Sequence, residues 1–211
     1  MSTEALMPGN STIILIDYAI GFANLLRSHD LPTHVNNAVG LAKLAVAYET
    51  GLVITNGVSS KPSGPLYPEL RAVLGARPVI ERPSAGNAFL DPKFAEAVRA
   101  TGRKKIILGG VSTEGCVLQT ALAGQREGYE VYVVVDACAS LSAETHEISV
   151  IRMVQAGIVP LTWFALSGEF SMDQSGAQGA IHQKLMAEHV PAMNFGVQTF
   201  KFAFGMGRAV Q

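Results

Sequence analysis

Short runs of β-branched and aliphatic residues alternate with amphipathic stretches along most of this chain, and this alternation limits the possible folds. The first run, residues 11–17, is almost wholly apolar until it ends in Asp17. Strands of about five residues that alternate with longer helices are typical of βαβ units and hence of a parallel sheet. The sequence therefore predicts an α/β fold, a three-layer doubly wound sandwich with a six-stranded parallel sheet. The predicted strands are residues 11–17, 52–55, 78–81, 104–109, 130–136 and 158–162.

Capping residues and glycines mark the predicted helices. Asp91 stands before a proline at the first helical position, and Gly102 follows the end of that stretch. Ser142 and Gly157 bracket a later helix in the same way. The predicted helices cover residues 33–50, 67–74, 92–101, 116–126, 143–156 and 180–189.

Composition and charge exclude several classes of function. Apolar residues make up 48% of the 211 residues, charged residues make up only 16%, and the formal net charge is −1. No basic surface for nucleic acid or for an anionic membrane is expected. No apolar run reaches the ~18 residues that span a bilayer. Two cysteines are too few for a disulfide framework and no secretory signal stands at the N-terminus, so we expect a cytoplasmic protein with free thiols.

The chain changes character after Phe170. Residues 1–170 form the predicted main domain, and residues 171–211 form a C-terminal extension or arm that belongs to the same domain or to an oligomer interface. Residues 171–179 read as a linker, and four phenylalanines follow in the tail, namely Phe195, Phe200, Phe202 and Phe204. Such an arm is too apolar to remain in water. We therefore expect a homo-oligomer in which the tail from Glu188 to Met206 lies in an interface.

Three polar residues follow strands of the predicted sheet. Asp17 closes the first strand, Arg82 follows the third, and Cys116 follows the fourth after a turn with three glycines. Ligands of open parallel sheets bind beyond the carboxyl ends of the strands. A thiol at the start of a helix has a lowered pKa, so Cys116 is predicted to be a nucleophile. Cys138 lacks such a turn and is interpreted as an inert packing residue.

Each of these residues also has a plain structural interpretation. Cys116 fits the part of a small buried apolar residue, which is what most free cysteines are. An aspartate at a strand end commonly caps the following turn, and an arginine is commonly solvated or ion-paired. The five histidines have no metal-ligand spacing, and His146 is interpreted as a structural partner inside a helix.

Several segments together resemble the isochorismatase-like cysteine hydrolase superfamily, and are most similar to its YcaC-like branch of unassigned substrate. The most specific segment is Gly-Gly-Val-Ser-Thr-Glu-Gly-Cys-Val at residues 109–117. Asp17, Arg82 with residues 87–89 behind it, Val-Val-Asp-Ala at residues 134–137 and the pair at residues 163–164 match as well. The resemblance runs from about residue 11 to residue 170 and is weaker in the tail.

The resemblance implies a catalytic triad of Asp17, Arg82 and Cys116, in which Arg82 stands where the family has a lysine. It also implies a cis peptide bond between Val111 and Ser112, an oxyanion hole in the loop that holds these residues, Thr113 and Cys116, and an octamer. The implied reaction is hydrolysis of a small amide through a thioester. The metal-binding histidines of nicotinamidases are missing after the second strand, so no metal and no cofactor are expected.

Aromatic and amide side chains near the three polar residues are the candidates for binding a small, partly apolar substrate. These candidates are Tyr18, Phe22, Asn87 and Phe89. Two other functions remain open from the residues alone. One is a Rossmann-like binding protein, although no Gly-x-Gly-x-x-Gly follows the first strand. The other is a redox sensor in which Cys116 reports oxidation.

Overall fold

A computed structural model of the chain describes residues 4–83 and 86–205. Six parallel strands form one sheet in the order β3-β2-β1-β4-β5-β6, which confirms the predicted α/β fold. The strands are β1 (Ser11–Ile16), β2 (Gly51–Gly57), β3 (Ile80–Arg82), β4 (Lys105–Gly110), β5 (Glu130–Val134) and β6 (Val159–Leu161). The helices are α1 (Ile20–Ala23), α2 (Leu31–Ala47), α3 (Pro68–Leu74), α4 (Pro92–Ala100), α5 (Leu118–Arg126), α6 (Ala143–Gln155), α7 (Trp163–Ser171), α8 (Ala177–His189) and α9 (Pro191–Ala203).

Helices cover both faces of the sheet, so the central strands β1 and β4 are buried along their whole length. Every residue of β1 is buried, as expected for a parallel strand between two helical layers. One face packs against α2, α3, α7 and α8 through residues such as Leu44 and Leu166. The other face packs against α4, α5 and α6 through residues such as Phe94 and Met153. The predicted caps Asp91 and Ser142 are confirmed, since each accepts backbone N–H groups of the following helix.

The strand order reverses between β1 and β4, the two central strands. A doubly wound sheet leaves a crevice beyond the carboxyl ends of its strands at such a reversal. Asp17 directly follows β1, and the turn that carries Cys116 begins three residues after β4. The topology thus brings both residues to one crevice.

The C-terminal extension is mostly helical. The helix expected at residues 180–189 is confirmed as α8, and the predicted linker is shortened to residues 172–176 because α7 continues to Ser171. The phenylalanine-rich arm forms a further helix, α9, which packs against α8. Phe195 and Phe202 of α9 are 75% and 85% exposed in the single chain. Met206, at the end of the predicted interface segment, lies outside the described residues.

Candidate active site

A buried ion pair stands at the carboxyl edge of the sheet. Asp17 has a left-handed backbone conformation, with φ of 54°, and its N–H donates to the carbonyl of Thr55 at 2.9 Å. Arg82 is the last residue of β3, whereas the sequence predicted that this strand ends one residue earlier, at residue 81. Its Nη2 donates to Asp17 Oδ2, and its Nε donates to Thr55 Oγ1 at 2.8 Å. Both charged side chains are almost completely shielded from solvent.

Cys116 lies in an irregular turn and not at the first position of a regular helix. The turn is a π-helical segment, Thr113–Val117, and α5 begins only at Leu118. Gly115 breaks the helical geometry there, with φ of −98° and ψ of −106°. A Cβ atom at Gly115 would lie 2.8 Å from Ser112 Oγ, so a larger residue would force the Ser112 hydroxyl to move. The Cys116 thiol is half-buried.

The surroundings of Cys116 stabilise the neutral thiol. Burial is the largest cause and the nearby Asp17 carboxylate is the second, and together they raise the pKa of Cys116 to about 12 despite the opposing effect of Arg82. The prediction of a lowered pKa is therefore wrong, because desolvation and a neighbouring negative charge outweigh any benefit from the helix start. Burial also raises the pKa of Cys138 to about 12, and this side chain is fully buried.

One of the two carboxylate oxygens of Asp17 has no hydrogen-bond donor among the described residues. Oδ2 accepts from Arg82, whereas Oδ1 is buried and accepts no hydrogen bond from the described part of the chain. The oxygen is shielded from bulk solvent, and the carboxylate has capacity to accept a further hydrogen bond. The arrangement can therefore take a proton from a group that approaches Oδ1.

The backbone N–H groups near Cys116 differ in whether they are free to donate to an oxyanion. The peptide bond between Val111 and Ser112 is cis. The N–H of Thr113 donates to the carbonyl of Ala139 at 2.9 Å, so it is not available to an oxyanion, contrary to expectation. The N–H of Ser112 donates to no acceptor within residues 4–83 and 86–205.

Two of the four expected substrate-binding residues pack against other parts of the chain. Tyr18 is fully buried, and its hydroxyl donates to the carbonyl of Ala137 at 2.6 Å. The Phe89 ring stacks on Tyr129 with centroids 5.7 Å apart and packs into the core on the α4–α5 face. Full burial contradicts the expectation for Tyr18, whereas Phe89 is only half-buried and its role in binding stays a prediction.

The other two expected residues remain near the surface. Phe22 in α1 is half-buried and packs against the edge of the core. The side-chain oxygen of Asn87 accepts the N–H of Phe89 at 3.0 Å, which caps a short 3-10 turn. Asn87 thus has a local structural contact in addition to any contact with a substrate.

Sequence reasoning missed two threonines that connect the elements of the site. Thr55 contacts both Asp17 and Arg82, as described above. Thr120 in α5 accepts the N–H of Ala88 at 3.0 Å and donates to the carbonyl of Gly86 at 3.3 Å, which ties the segment after β3 to the helix after Cys116. Both threonines are fully buried. A polar residue at a buried strand end was the signal that could have identified Thr55.

Histidines near the site have structural contacts. His146 Nδ1 lies 2.9 Å from Thr113 Oγ1, and its ring meets that of His29 edge-on. Burial, helped by His29, lowers the pKa of His146 to about 4. Within the described residues, no group of three or more His, Cys, Asp or Glu side chains could hold a metal ion. No helix there is long and apolar enough to cross a membrane.

Comparison with known proteins identifies the family. The model of the Isochorismatase domain matches residues 11–164, which include all three residues of the candidate triad. The chain belongs to the isochorismatase domain family. One relative is the probable hydrolase YcaC of Escherichia coli K12. It is 34% identical to this chain over a region that covers 86% of this chain and 87% of the relative.

Solved structures extend the similarity to the isochorismatase-like hydrolases. A crystal structure of the YcaC product of Escherichia coli, described as an octameric hydrolase of unknown specificity, has a TM-score of 0.91 at 32% identity and covers 96% of this chain and 99% of that chain. YcaC from Pseudomonas aeruginosa, with hexane-2,5-diol and covalent acrylamide, has a TM-score of 0.90 at 29% identity and covers 95% and 98%. These similarities support hydrolase activity within the isochorismatase domain family.

Proposed function

We propose that this chain is a cysteine hydrolase that cleaves an amide-type C–N bond of a small molecule through a thioester on Cys116. The observation that carries the proposal is the buried Asp17–Arg82 pair beside a half-buried thiol at the carboxyl edge of the sheet. A nucleophile next to a base that is itself oriented by a third group is the usual arrangement for covalent catalysis.

In the proposed first step, Asp17 Oδ1 accepts the Cys116 proton while the sulfur attacks the substrate carbonyl carbon and forms a C–S bond. The N–H groups of Ser112 and Cys116 donate to the resulting oxyanion. As the oxyanion collapses, the C–N bond breaks and Asp17 returns the proton to the leaving nitrogen. An acyl group then remains on the sulfur as a thioester.

In the second step, Asp17 takes a proton from a water molecule whose oxygen attacks the thioester carbon. The C–S bond breaks, the carboxylic acid leaves, and the proton returns to Cys116. Arg82 keeps its charge throughout, because an arginine does not deprotonate at useful pH. We assign Arg82 to charge stabilisation of Asp17 and not to proton transfer.

The high pKa of the resting thiol is consistent with this order of events. A permanent thiolate needs no base, whereas a neutral thiol beside a carboxylate loses its proton only as it attacks. Covalent acrylamide in the Pseudomonas aeruginosa relative also supports the proposal, since acrylamide is an electrophile that thiols attack. Phe22, Asn87 and Phe89 remain our candidates for contacting a small, partly apolar substrate.

We also propose that the protein acts as a homo-oligomer with α9 in an interface. The exposed phenylalanines of α9 support this, because each ring left in water forgoes roughly 1.5–3 kcal/mol of burial free energy. The Escherichia coli relative is described as octameric, so eight subunits is the assembly that we propose for this chain.

A panel of small amides, ureides and thioesters tests the proposed reaction. Wild-type protein, Cys116→Ala and the matched control Cys138→Ala are compared for product release, and mass spectrometry of quenched reactions looks for an acyl group on Cys116. We expect hydrolysis and an adduct in the wild type and in Cys138→Ala only. Undiminished hydrolysis by Cys116→Ala would contradict the proposal.

A further inference from the structure

Thr55 occupies a central position between the two charged residues of the site. It lies near the end of β2, paired with Ile16 on one side and Ile80 on the other, and is fully buried. Its carbonyl accepts the N–H of Asp17 at 2.9 Å. Its side chain accepts from Arg82. Thr55 thus contacts both the backbone of Asp17 and the guanidinium of Arg82.

The hydrogen-bond roles of the Thr55 hydroxyl are fixed by its surroundings. Its single proton goes to the carbonyl of Ile80, with an O–O distance of 2.9 Å. Its lone pairs are then free to accept, and the Nε–H of Arg82 donates to them at 2.8 Å. A buried hydroxyl with both roles satisfied holds its partners in one orientation.

The Arg82 side chain has a directional requirement that Thr55 meets. A guanidinium is planar, and its N–H groups point in fixed directions, so binding Nε sets the direction of Nη2. In this chain Nη2 points to Asp17 Oδ2, which leaves Asp17 Oδ1 without a donor among the described residues. A lysine ammonium has no such plane and needs no partner of this kind.

We propose that Thr55 is a positioning residue that orients the Arg82 guanidinium and, through it, the Asp17 carboxylate beside Cys116. The proposal deepens the function proposed above and rests on the same three residues. It states that the hydroxyl of Thr55 matters because residue 82 is an arginine. Removing the hydroxyl is therefore expected to change the orientation of residue 82 and the reactivity of Cys116 only while residue 82 is an arginine.

A double-mutant cycle tests this dependence. The variants are Thr55→Val, Arg82→Lys and both together, and the measurement is the rate of Cys116 alkylation by iodoacetamide across pH 7–10.5. In the arginine background we expect Thr55→Val to slow alkylation about 3- to 10-fold at pH 8.5, because a displaced guanidinium no longer offsets the Asp17 charge at the thiol. In the lysine background we expect the same substitution to change the rate less than about 1.5-fold.

Two controls separate orientation from simple loss of packing. Thr55→Ser retains the hydroxyl and is expected to restore the wild-type pH profile. Thr12→Val removes a buried hydroxyl near the other end of the sheet, in β1, and is expected to leave the profile unchanged. Melting curves establish that each variant is folded, and if Thr55→Val is not, Thr55→Ala serves under the same criteria.

Equal effects of Thr55→Val in both backgrounds, or no effect in either, would overturn the inference. Alkylation does not require turnover, so this result is independent of whether an amide is hydrolysed. If Thr55→Val slows alkylation only in the arginine background but no hydrolysis is detected, the role of Thr55 is supported and the proposed reaction is not. If hydrolysis depends on Cys116 but Thr55→Val has the same effect in both backgrounds, the proposed reaction is supported and the role of Thr55 is rejected.

Discussion

The Asp17 carboxylate raises the pKa of the Cys116 thiol, and only burial has a larger effect on that pKa. The two residues follow adjacent central strands, so the sheet itself fixes their proximity. In the proposed mechanism, Asp17 is a base that raises the pKa of its own nucleophile, so the proton stays on the Cys116 sulfur until a substrate arrives. The same residue therefore suppresses unassisted reactions of the thiol and assists the proposed reaction.

Replacing Asp17 by asparagine is expected to have opposite effects on alkylation and hydrolysis. Loss of the negative charge lowers the pKa of Cys116, so iodoacetamide should modify Asp17→Asn faster than wild type, by about tenfold at pH 8.5 for one pKa unit. Hydrolysis of any identified substrate should fall by at least about a hundredfold without the base. Parallel decreases in both rates would contradict the assignment.

Alkylation should distinguish the two cysteines. In the native protein we expect iodoacetamide to modify Cys116 only, at a rate that rises steadily from pH 7 to pH 10 without a plateau, because burial and Asp17 raise the pKa of this thiol to about 12. Cys138 is fully buried and should react only after denaturation. Peptide mass mapping of wild type, Cys116→Ala and Cys138→Ala checks this. Faster reaction of Cys138 at neutral pH would reverse the assignment.

Removing α9 should reduce the assembly size. We expect a chain that ends at Val190 to form smaller particles than the full chain, as measured by size-exclusion chromatography with light scattering. Phe202→Ser should weaken assembly, whereas Leu90→Ser, another exposed apolar residue at 70% exposure, serves as the matched control and should not. A monomeric full-length protein, or a truncated chain with unchanged mass per particle, would contradict the interface.

His34 should make unfolding sensitive to acid. Burial, aided by His29 and His146, lowers the pKa of His34 to about 4, whereas an unfolded histidine titrates near 6.5. Its contribution to the free energy of unfolding is therefore fully present above about pH 6.5 and is lost as the pH falls towards 4. We expect this loss to reach about 2–3 kcal/mol by pH 4.

Denaturant unfolding between pH 7 and pH 4.5 measures this effect. His34→Gln should have a shallower pH dependence than wild type. Tyr67→Phe removes the hydroxyl that lies 3.4 Å from His34 Nε2 but retains the histidine, so it should keep most of the wild-type slope. Equal slopes for wild type and His34→Gln would show that His34 does not titrate in this range.

Sequence patterns predicted the sheet and the three polar residues of the site, because strand periodicity, caps and glycines are local signals. They failed for Tyr18, since its position next to Asp17 in the sequence does not show that its ring is fully buried and that its hydroxyl donates to the carbonyl of Ala137. They also failed to show that the Thr113 N–H is unavailable to an oxyanion, because this group donates to the carbonyl of Ala139, which is distant in sequence. The pKa of Cys116 depends on burial and on Asp17, and neither is visible in a local motif.

The position of β3 at the edge of the sheet has a consequence for heat inactivation. Asp17 and Cys116 extend from the two central strands, whereas Arg82 belongs to a three-residue strand that pairs only with β2. Peripheral elements open with a smaller free energy than the centre of a fold. On warming, we therefore expect the guanidinium to leave the carboxylate while Asp17 and Cys116 are still in place. Loss of the proposed activity should then precede the cooperative melting of the domain and should reverse on cooling.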